Sequence, residues 1–442
     1  MSSPAIVYDI TRLATRFSRP APNGIDRVDL AYAQHFLSAA NSGFGALLNP
    51  LGPRLVDAEA AGSLVSAIVE NWAEDSDASQ NRVLQKVASF LSDSNATCVS
   101  PEASVRTVNR RYNPVSSFAR YARSNKIFGH RGLFPGRSLA RNAPAGSVYI
   151  NTSQFPLWVD WYFRWLDTRG DIRAVFFVHD LLPLTHPEFF PPAEEARHRQ
   201  RLSVLARRAS GVIVASDITR RALLDHISFL GLKPPPVAVV PLPADDAFFL
   251  KPHGPPIIRS DKPYFVCVGT IEPRKNQLLL LQVWRELAVK MGKATPKLVL
   301  IGARGWDNEN VVDLLERCEA LRPYVIEAAG LSTPAVAELI SGSAAVLLPT
   351  LAEGFGLPAY EAERLGARLI ISDIPVFRPL SGPGVLKLHP LDGPGWLAAI
   401  RAHFEGALHP PSAHSSCPCD TRPTWELHQK HVSEFIQGLP VI

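Results

Sequence analysis

Short, unbroken runs of apolar residues recur along the chain, and most of them are followed by a segment with helical spacing. Residues 174–178 and 211–215 are examples from the first half, and residues 264–268 and 297–301 are examples from the second. Such runs are expected for parallel strands that are buried on both faces, and parallel strands need helical crossovers. The pattern therefore predicts an α/β protein whose parallel sheets are covered by helices on both sides.

The strand-and-helix alternation occurs twice, and a proline-rich segment at residues 241–256 separates the two series. A chain of 442 residues is long enough for two or three domains with sizeable cores. We expect an N-terminal domain at residues 1–245, a C-terminal domain at residues 246–420 and a final segment at residues 421–442. Residues 424–437 have a helical pattern, and Gly438 and Pro440 are typical of a helix end.

The composition is ordinary for a globular protein, with 46% apolar and 20% charged residues. No unbroken apolar run is long enough for a transmembrane helix, and the N-terminus lacks the pattern of a secretory signal. The five cysteines are scattered and do not resemble a disulfide framework. We therefore expect a cytoplasmic protein. Cys417 and Cys419 have no second pair that would complete a zinc site, so no metal is expected.

The net charge of +5 is concentrated in a basic stretch at residues 106–141, which is rich in arginine and has aromatic residues interleaved. A solvated basic loop is one interpretation, because most charge runs are solvated. The alternative is a surface that binds an anionic membrane, which would place the protein on the inner face of the plasma membrane, or a lipid-diphosphate acceptor. No helix-turn-helix, zinc-finger or RNA-binding signature accompanies the stretch, so nucleic acid is not an expected partner.

The most informative local pattern is at residues 344–363, where an apolar strand runs into a glycine turn and then a helix. Gly354 and Gly356 permit close approach of the backbone, and free amides at a helix start form an anion site. Glu353 on the turn and Glu361 in the helix are separated by seven residues, so that both carboxylates can accept sugar or ribose hydroxyls. The alternative is a strand-to-helix turn with two solvated acids.

This run resembles the E-x7-E signature of retaining GT-B glycosyltransferases, in particular glycosyltransferase family 4. Three further segments are similar to motifs of that family: residues 269–276 to G-x-x-x-P-R-K-N, residues 179–190 to HD-x-x-P-x-x-x-P-E-x-F, and residues 23–28 to its N-terminal glycine loop. The resemblance implies the GT-B fold, with two Rossmann-like, doubly wound domains facing each other across a cleft. It also implies that the last helix crosses back to the N-terminal domain.

The resemblance assigns roles to individual residues. Arg274 and Lys275 are expected to stabilise the leaving diphosphate, Glu353 to hold the donor sugar and Glu361 to bind ribose, while His179 faces the sugar from the other domain. The donor-binding set is Gly24, Gly269, Arg274, Lys275, Gly354, Phe355, Gly356, Leu357 and Glu361. The acceptor side is expected to contain Asp26, Arg27 and Asp180. An alternative role for Asp180 is to brace its own loop.

The implied activity is retaining sugar transfer without a metal or cofactor, from a nucleotide sugar to a glycan or a lipid-diphosphate-linked saccharide. The HD-x-x-P and PRKN variants look most like bacterial enzymes that use GDP-mannose to build surface polysaccharides. A UDP-sugar or deoxysugar donor stays open as an alternative. So do a GT-B epimerase, a phosphorylase and a protein that binds nucleotide sugar without transferring it.

Overall fold

The structure is a computed structural model, and it describes residues 4–16, 22–38, 43–49, 52–73, 82–92, 136–248, 258, 260, 262–405 and 423–440. These residues form two sheets of mainly parallel strands, each with helices on both faces. Most of the predicted basic stretch at residues 106–141 and the cysteine pair near residue 418 lie outside the described residues.

The first sheet has eight strands in the order β4-β3-β2-β1-β5-β6-β7-β8. Its strands are β1 (Ile6–Asp9), β2 (Phe44–Asn49), β3 (Gly52–Val56), β4 (Arg137–Ser138), β5 (Val148–Asn151), β6 (Arg173–Val178), β7 (Gly211–Val214) and β8 (Val237–Val239). All neighbours are parallel except β2 with β3 and β3 with β4. Every residue of β6 is buried, as the unbroken apolar run predicted. The strand order reverses between β1 and β5.

The helices of the first domain include two with well-formed N-terminal caps. The α-helices of this domain within the described residues are α1 (Thr11–Arg16), α2 (Gly24–Phe36), α3 (Ala58–Ala73), α5 (Leu139–Asn142), α6 (Asp160–Thr168), α7 (Leu182–Thr185), α8 (Pro192–Arg208) and α9 (Asp217–Phe229). Helix α4 (Arg82–Ser92) packs on the second domain and is described below. Asn23 and Asp26 form a reciprocal capping box at the start of α2. The Ser216 side chain caps α9 by accepting the Thr219 amide at 3.2 Å.

The second sheet has six parallel strands in the order β11-β10-β9-β12-β13-β14. Its strands are β9 (Tyr264–Val268), β10 (Lys297–Ile301), β11 (Val325–Ala328), β12 (Ala345–Leu348), β13 (Leu369–Ser372) and β14 (Val385–Leu388). Its helices are α10 (Gln277–Met291), α11 (Glu309–Arg317), α12 (Thr333–Ser341), α13 (Leu357–Arg364) and α14 (Gly393–Phe404). The order reverses between β9 and β12, and in open α/β sheets ligands bind at such a reversal, beyond the carboxyl ends of the strands.

Helix α4 precedes the predicted domain boundary but packs on the second domain. Leu84, Val87, Phe90 and Leu91 of α4 belong to the same buried cluster as residues of β9, β10 and β12. The Lys297 ammonium donates to the Phe90 carbonyl and lies 4.2 Å from the centre of the Phe90 ring. The predicted limits of 1–245 and 246–420 are therefore corrected at this helix, because its apolar face is buried by distant residues.

The last helix, α15 (Trp425–Gly438), lies on the first domain. Its Val432 and Ile436 are buried in a cluster with residues of β1, β5 and β6. His428 bonds the Tyr32 hydroxyl at 2.7 Å through Nε2 and the Pro241 carbonyl at 2.9 Å through Nδ1. Burial lowers the pKa of His428 to about 4, so the ring stays neutral in this packing.

Candidate functional site

Two loops meet at the strand reversal of the second sheet, one after β9 at residues 269–276 and one after β12 at residues 349–356. The Arg274 carbonyl accepts the Leu351 amide at 2.7 Å and the Thr350 hydroxyl at 2.9 Å. Both loops hold charged residues of the predicted site, and these hydrogen bonds bring those residues together.

A buried cluster of two acids and two bases lies between these loops. Glu353 contacts Arg274 at 2.7 Å and Lys275 at 2.5 Å, and Arg274 Nε contacts Glu272 at 2.7 Å. Burial alone would raise the pKa of Glu353, but Arg274 and Lys275 outweigh it and lower the pKa to about 2. Burial favours loss of the Arg274 charge, whereas Glu353 and Glu272 raise its pKa. Burial raises the pKa of Glu272, the second acid of the cluster, and Arg274 and Lys275 offset part of that effect.

Gly269 leaves room for Lys275. Its φ of +148° suits glycine, and a Cβ added there would lie 3.2 Å from Cε of Lys275. The aliphatic part of Lys275 therefore packs directly over the end of β9, which directs the ammonium towards Glu353.

The site also uses Asn276, Glu272 and Thr350, to which the sequence analysis assigned no role. Asn276 has a φ of +56°, which asparagine tolerates better than most residues. Its amide donates to the carbonyls of Pro349 at 3.0 Å and Pro390 at 2.9 Å. The sequence signal for Asn276 was a hydrogen-bonding side chain directly after residues 273–275. Its two partners could not be predicted, because each is more than 70 residues away along the chain.

The turn before α13 requires glycine at residue 356. Gly356 has a φ of +81°, and a Cβ would lie 2.2 Å from the ring of Phe377. Helix α13 therefore starts sharply at Leu357 with proline in its first turn, and the Ala359 amide donates to the Gly356 carbonyl at 2.9 Å. Glu361, in the second turn of α13, is 1% exposed.

Glu361 is paired with a residue of the other domain. Arg27 Nη1 of α2 lies 2.7 Å from Glu361 Oε1. Burial raises the pKa of Glu361, and Arg27 offsets part of that effect. Arg27 was expected on the acceptor side, which stays a prediction, and in this structure it contacts a residue of the predicted donor-binding set.

Gly354 is in direct contact with the first domain. A Cβ there would lie 2.6 Å from Cβ of Asp180 and 2.7 Å from the His179 carbonyl. The Gly354 carbonyl accepts hydrogen bonds from the Ser216 hydroxyl at 2.8 Å and the Thr219 hydroxyl at 3.3 Å. The hydroxyls of Ser216 and Thr219, at the start of α9, therefore hold the turn that contains Gly354 against the loop that carries His179.

Phe355 and Leu357 pack between the two domains. Phe355 is 9% exposed and stacks on Tyr360, with ring centres 4.5 Å apart. Both Phe355 and Leu357 contact the hydrophobic cluster of the first domain. Their predicted donor-binding role was based on the motif, whereas their contacts in this structure are apolar and interdomain.

His179 follows β6 and is held in one tautomer. Its Nε2 lies 2.8 Å from the Thr152 carbonyl, which can only accept, so Nε2 carries the proton and Nδ1 has a lone pair. Burial lowers the pKa of His179 to about 4, and the Thr152 carbonyl offsets only part of this. Asp180 accepts the Leu182 amide at 3.0 Å, as expected for a residue that braces its loop.

A buried polar network lies behind His179 and was not predicted from the sequence. Asp29 Oδ1 accepts hydrogen bonds from the Tyr8 hydroxyl at 2.6 Å and the Thr152 hydroxyl at 2.8 Å. Burial raises the pKa of Asp29 to about 7, although these two hydrogen bonds lower it. The residues of this network come from β1, α2 and the loop after β5, so no local sequence pattern predicts it.

The glycine loop before α2 has a mainly structural arrangement. Gly24 is exposed at the first residue of the helix, with open space around it. Asp26 is fully buried, where it accepts Arg12 Nε at 2.8 Å and the Asn23 amide at 3.2 Å. The expected acceptor contact of Asp26 is corrected here, because hydrogen bonds within the first domain engage its carboxylate.

Within the described parts of the chain, His, Cys, Asp and Glu side chains nowhere gather in a group of three or more that is placed to hold a metal ion. None of the helices in the described ranges combines the length and the apolar character that a membrane crossing needs.

Comparison with known proteins finds a family match within the second domain. Residues 253–391 match the family described as glycosyl transferases group 1. A serotype-specific mannosyltransferase WbdA of Escherichia coli is 31% identical over 223 residues, which cover 47% of this chain and 27% of that protein. The O-antigen chain mannosyltransferase B of Escherichia coli is 27% identical over 245 residues, which cover 53% of this chain and 61% of that protein. The matches thus cover about a quarter of WbdA and less than two thirds of the second relative.

Solved structures resemble the whole chain. The Anabaena Alr3699/HepE structure in complex with UDP has a TM-score of 0.60 at 13% identity and covers 99% of this chain and 100% of its own. The sucrose-phosphate synthase of Thermosynechococcus elongatus has a TM-score of 0.54 at 15% identity and covers 99% and 94%. The predicted GT-B fold and the predicted resemblance to glycosyltransferases are both confirmed.

Proposed function

We propose that this protein is a retaining, metal-independent glycosyltransferase that moves mannose from GDP-mannose to a glycan or a lipid-linked saccharide in bacterial surface polysaccharide synthesis. The match of residues 253–391 to glycosyl transferases group 1 supports sugar transfer. The printed names of two similar proteins, serotype-specific and O-antigen mannosyltransferases, support mannose as the sugar. The observation that carries the proposal is the buried Glu353–Arg274–Lys275 cluster at the strand reversal of the second domain.

The two cations have capacity to bind the diphosphate of a donor. Hydrogen bonds to Glu353 and Ala352 use the two N–H donors of Arg274 Nη1, and Arg274 Nε makes an ion-pair contact with Glu272. The bond to Glu353 uses one of the three donors of Lys275. The remaining donors, together with the positive end of the α13 dipole, stabilise the negative charge that develops as the glycosidic bond breaks.

The two groups assigned to the sugar have suitable protonation states. Because the pKa of Glu353 is about 2, its carboxylate accepts hydrogen bonds at any physiological pH. His179 is neutral above its pKa of about 4, so its Nδ1 can accept a hydrogen bond from a sugar hydroxyl. Both therefore orient sugar hydroxyls as acceptors. Glu361 is expected to accept ribose hydroxyls, and Arg27 is expected to give up part of its contact when it does.

The contact between Gly354 and the loop of His179 supports transfer over hydrolysis. Closing two domains on a donor excludes bulk water and leaves the acceptor hydroxyl as the nucleophile. We place the protein in the cytoplasm, where nucleotide sugars are available, with peripheral membrane contact when the acceptor is lipid-linked. The basic stretch at residues 106–141 remains the proposed surface for that contact.

The donor is tested by thermal shift with GDP, UDP, TDP and their sugars. A ligand that binds only the folded protein raises the unfolding midpoint by mass action. GDP and GDP-mannose should raise it in the wild type and lose most of this effect in Glu361→Ala and Lys275→Ala. Glu286→Ala and Lys290→Ala are matched controls, because these residues form an exposed pair on α10 at 2.9 Å. Stabilisation by UDP or TDP alone would replace the proposed donor, and no shift with any nucleotide would refute the transferase proposal.

Turnover separates the remaining alternatives. Release of GDP with formation of an α-mannoside from the α-linked donor, unchanged by EDTA, is the expected result. Formation of a β-mannoside would refute the retaining mechanism. Loss of activity with EDTA would refute the proposal that no metal is needed. Epimerised free sugar nucleotide would indicate an epimerase, and donor binding without GDP release on any acceptor would indicate a binding protein.

A further inference from the structure

His179 is oriented by a backbone carbonyl of a neighbouring loop. Its Nε2 donates to the Thr152 carbonyl at 2.8 Å, and its ring lies beside Phe177, with ring centres 4.7 Å apart. Thr152 directly follows β5 and His179 directly follows β6, so the hydrogen bond joins the carboxyl ends of two adjacent strands. The position of the Thr152 peptide therefore decides where the lone pair on Nδ1 of His179 points.

The side chain of Thr152 is held by a buried acid and a buried tyrosine. Thr152 Oγ1 donates to Asp29 Oδ1 at 2.8 Å, and the Tyr8 hydroxyl donates to the same oxygen at 2.6 Å. The hydroxyl oxygens of Tyr8 and Thr152 are also 2.6 Å apart, so the three side chains form a closed triangle. All three residues are at most 1% exposed. Thr152 thus binds α2 and β1 through its hydroxyl and His179 through its carbonyl.

These contacts lie on the face of the first sheet that α2 covers. Successive side chains of a strand point to opposite faces, so Tyr8 and Asp9 of β1 diverge. Tyr8 and Phe177 belong to the hydrophobic cluster that contains the apolar residues of α2. Asp9 accepts the Tyr149 hydroxyl and, at 3.2 Å, the Asn151 amide, and Tyr149 belongs to the cluster of the other face. The sheet therefore separates this second network from the ring of His179.

An acid is costly at the position of Asp29. It lies on the buried face of α2, where Tyr32 and Ala33 are its neighbours three and four residues on. Its Oδ1 accepts both hydrogen bonds of the triangle, whereas Oδ2 is buried without a hydrogen-bond partner among the described residues. A partly satisfied buried carboxyl group destabilises a fold, so such a group needs another explanation than packing. Exact placement of Thr152 supplies that explanation.

We infer that Asp29 is a positioning residue for His179 and acts through Thr152, with Tyr8 completing the triangle. The acid keeps the Thr152 carbonyl where it accepts the Nε2 hydrogen bond, so that Nδ1 keeps its lone pair for a sugar hydroxyl. The inference rests on the proposed function, in which His179 contacts the donor sugar, and it adds residues that lie behind the histidine. Without the acid, the Thr152 peptide is released and both tautomers of the ring become populated.

The orientation of His179 is tested first in ligand-free protein, by NMR of the ring nitrogens in isotope-labelled histidine. The ring is neutral above its pKa of about 4, so near neutral pH the spectrum reports the tautomer alone. Comparison with His179→Gln assigns the signal. The wild type should show a single tautomer with the proton on Nε2, whereas Asp29→Ala and Thr152→Val should each show a mixture of both tautomers.

Conservative variants separate positioning from a general loss of packing. Thr152→Ser keeps the hydroxyl and Asp29→Asn keeps an acceptor oxygen, so both should retain the single tautomer. Tyr149→Phe is the matched control, because it removes one buried hydroxyl from the network on the opposite face of the sheet. If Asp29→Ala does not fold, Thr152→Val decides the question, since it replaces a hydroxyl by a methyl group and leaves no cavity.

The second test is GDP release from GDP-mannose, with water or methyl α-mannoside as the nucleophile. Asp29→Ala and Thr152→Val should lower kcat on the order of tenfold to 100-fold, with the donor KM within about twofold of the wild type, because the charged cluster at Glu353 is unaltered. An unchanged tautomer in the folded variants, an equal change in Tyr149→Phe, or a changed tautomer with wild-type kcat would overturn the inference. Absence of stabilisation by every nucleotide would refute the proposed function instead, and the tautomer result, obtained without ligand, would stand.

Discussion

Replacing Gly354 by alanine should hold the two domains apart. The added Cβ would lie 2.6 Å from Cβ of Asp180 and 2.7 Å from the His179 carbonyl, whereas carbon atoms pack at about 3.5 Å or more. The turn must therefore move away from the first domain by about 1 Å. Neither obstacle is the mobile end of a flexible side chain, so the shift cannot be absorbed by a change of rotamer.

The cost can be worked from the hydrogen bonds at the same residue. A movement of about 1 Å lengthens the Ser216–Gly354 bond from 2.8 Å and the Thr219–Gly354 bond from 3.3 Å beyond hydrogen-bonding range. Each neutral bond is worth about 1 kcal/mol, so closure becomes weaker by about 2 kcal/mol, or roughly 30-fold. Misplacement of reacting groups by about 1 Å has a cost of similar size, on the order of 100-fold.

The assay is GDP release from GDP-mannose with and without acceptor, together with small-angle scattering to measure domain closure. We expect kcat/KM of Gly354→Ala to fall by roughly 30- to 100-fold. GDP should still stabilise the variant, because α13 and the charged cluster remain intact. Gly384→Ala is the matched control, since Gly384 lies in the same domain with open space around it and no positive φ. Turnover within twofold of the wild type, with unchanged closure, would refute this reasoning.

Three other predictions concern stability and charge. Because the pKa of Asp29 is raised from 3.8 to about 7, the folded protein binds this proton more tightly than the unfolded chain, and stability falls as pH rises from about 4 to about 7. Asp29→Asn should remove this slope, worth about 4 kcal/mol across that range, in denaturant titrations at several pH values; parallel profiles for variant and wild type would contradict the assignment. Phe90→Ala should lower the calorimetric transition of the second domain by about 10 °C, because it empties part of a buried cluster and removes the ring beside Lys297. A transition that does not move would show that α4 adds nothing to that core. Glu353→Gln should lower kcat at least about 100-fold without raising the donor KM, because the cluster gains a net positive charge and loses one of its two charged acceptor oxygens for sugar hydroxyls. A variant with a higher KM and normal kcat would instead assign Glu353 to ground-state binding.

The charged residues of the loops at residues 269–276 and 349–356 could be predicted from the sequence because their positions follow from local rules. An unbroken apolar run becomes a buried parallel strand, and a glycine-bearing turn before a helix places its residues at the carboxyl end of that strand. Arg274, Lys275 and Glu353 therefore meet at one edge, although 78 residues separate Lys275 from Glu353. The sheet determines that meeting, and the sequence pattern is enough to predict the sheet.

What these residues contact was decided by tertiary structure. Arg27 and Glu361 are 334 residues apart, and their ion pair exists only because the two domains pack together. Gly354 was expected to permit close approach of the backbone to a ligand, and only the structure shows that its neighbours are the backbone of His179 and the side chain of Asp180.

Helix α4 shows that the domain to which a helix belongs could not be predicted from the sequence either. Its apolar face is evident from spacing, but spacing does not reveal which core will bury it, because burial is non-directional and depends only on the apolar area removed from water. The sequence by itself determined the two sheets and the chemistry at their edges. Only the packing of distant surfaces decided how the edges face one another, since those contacts have no signature along the chain.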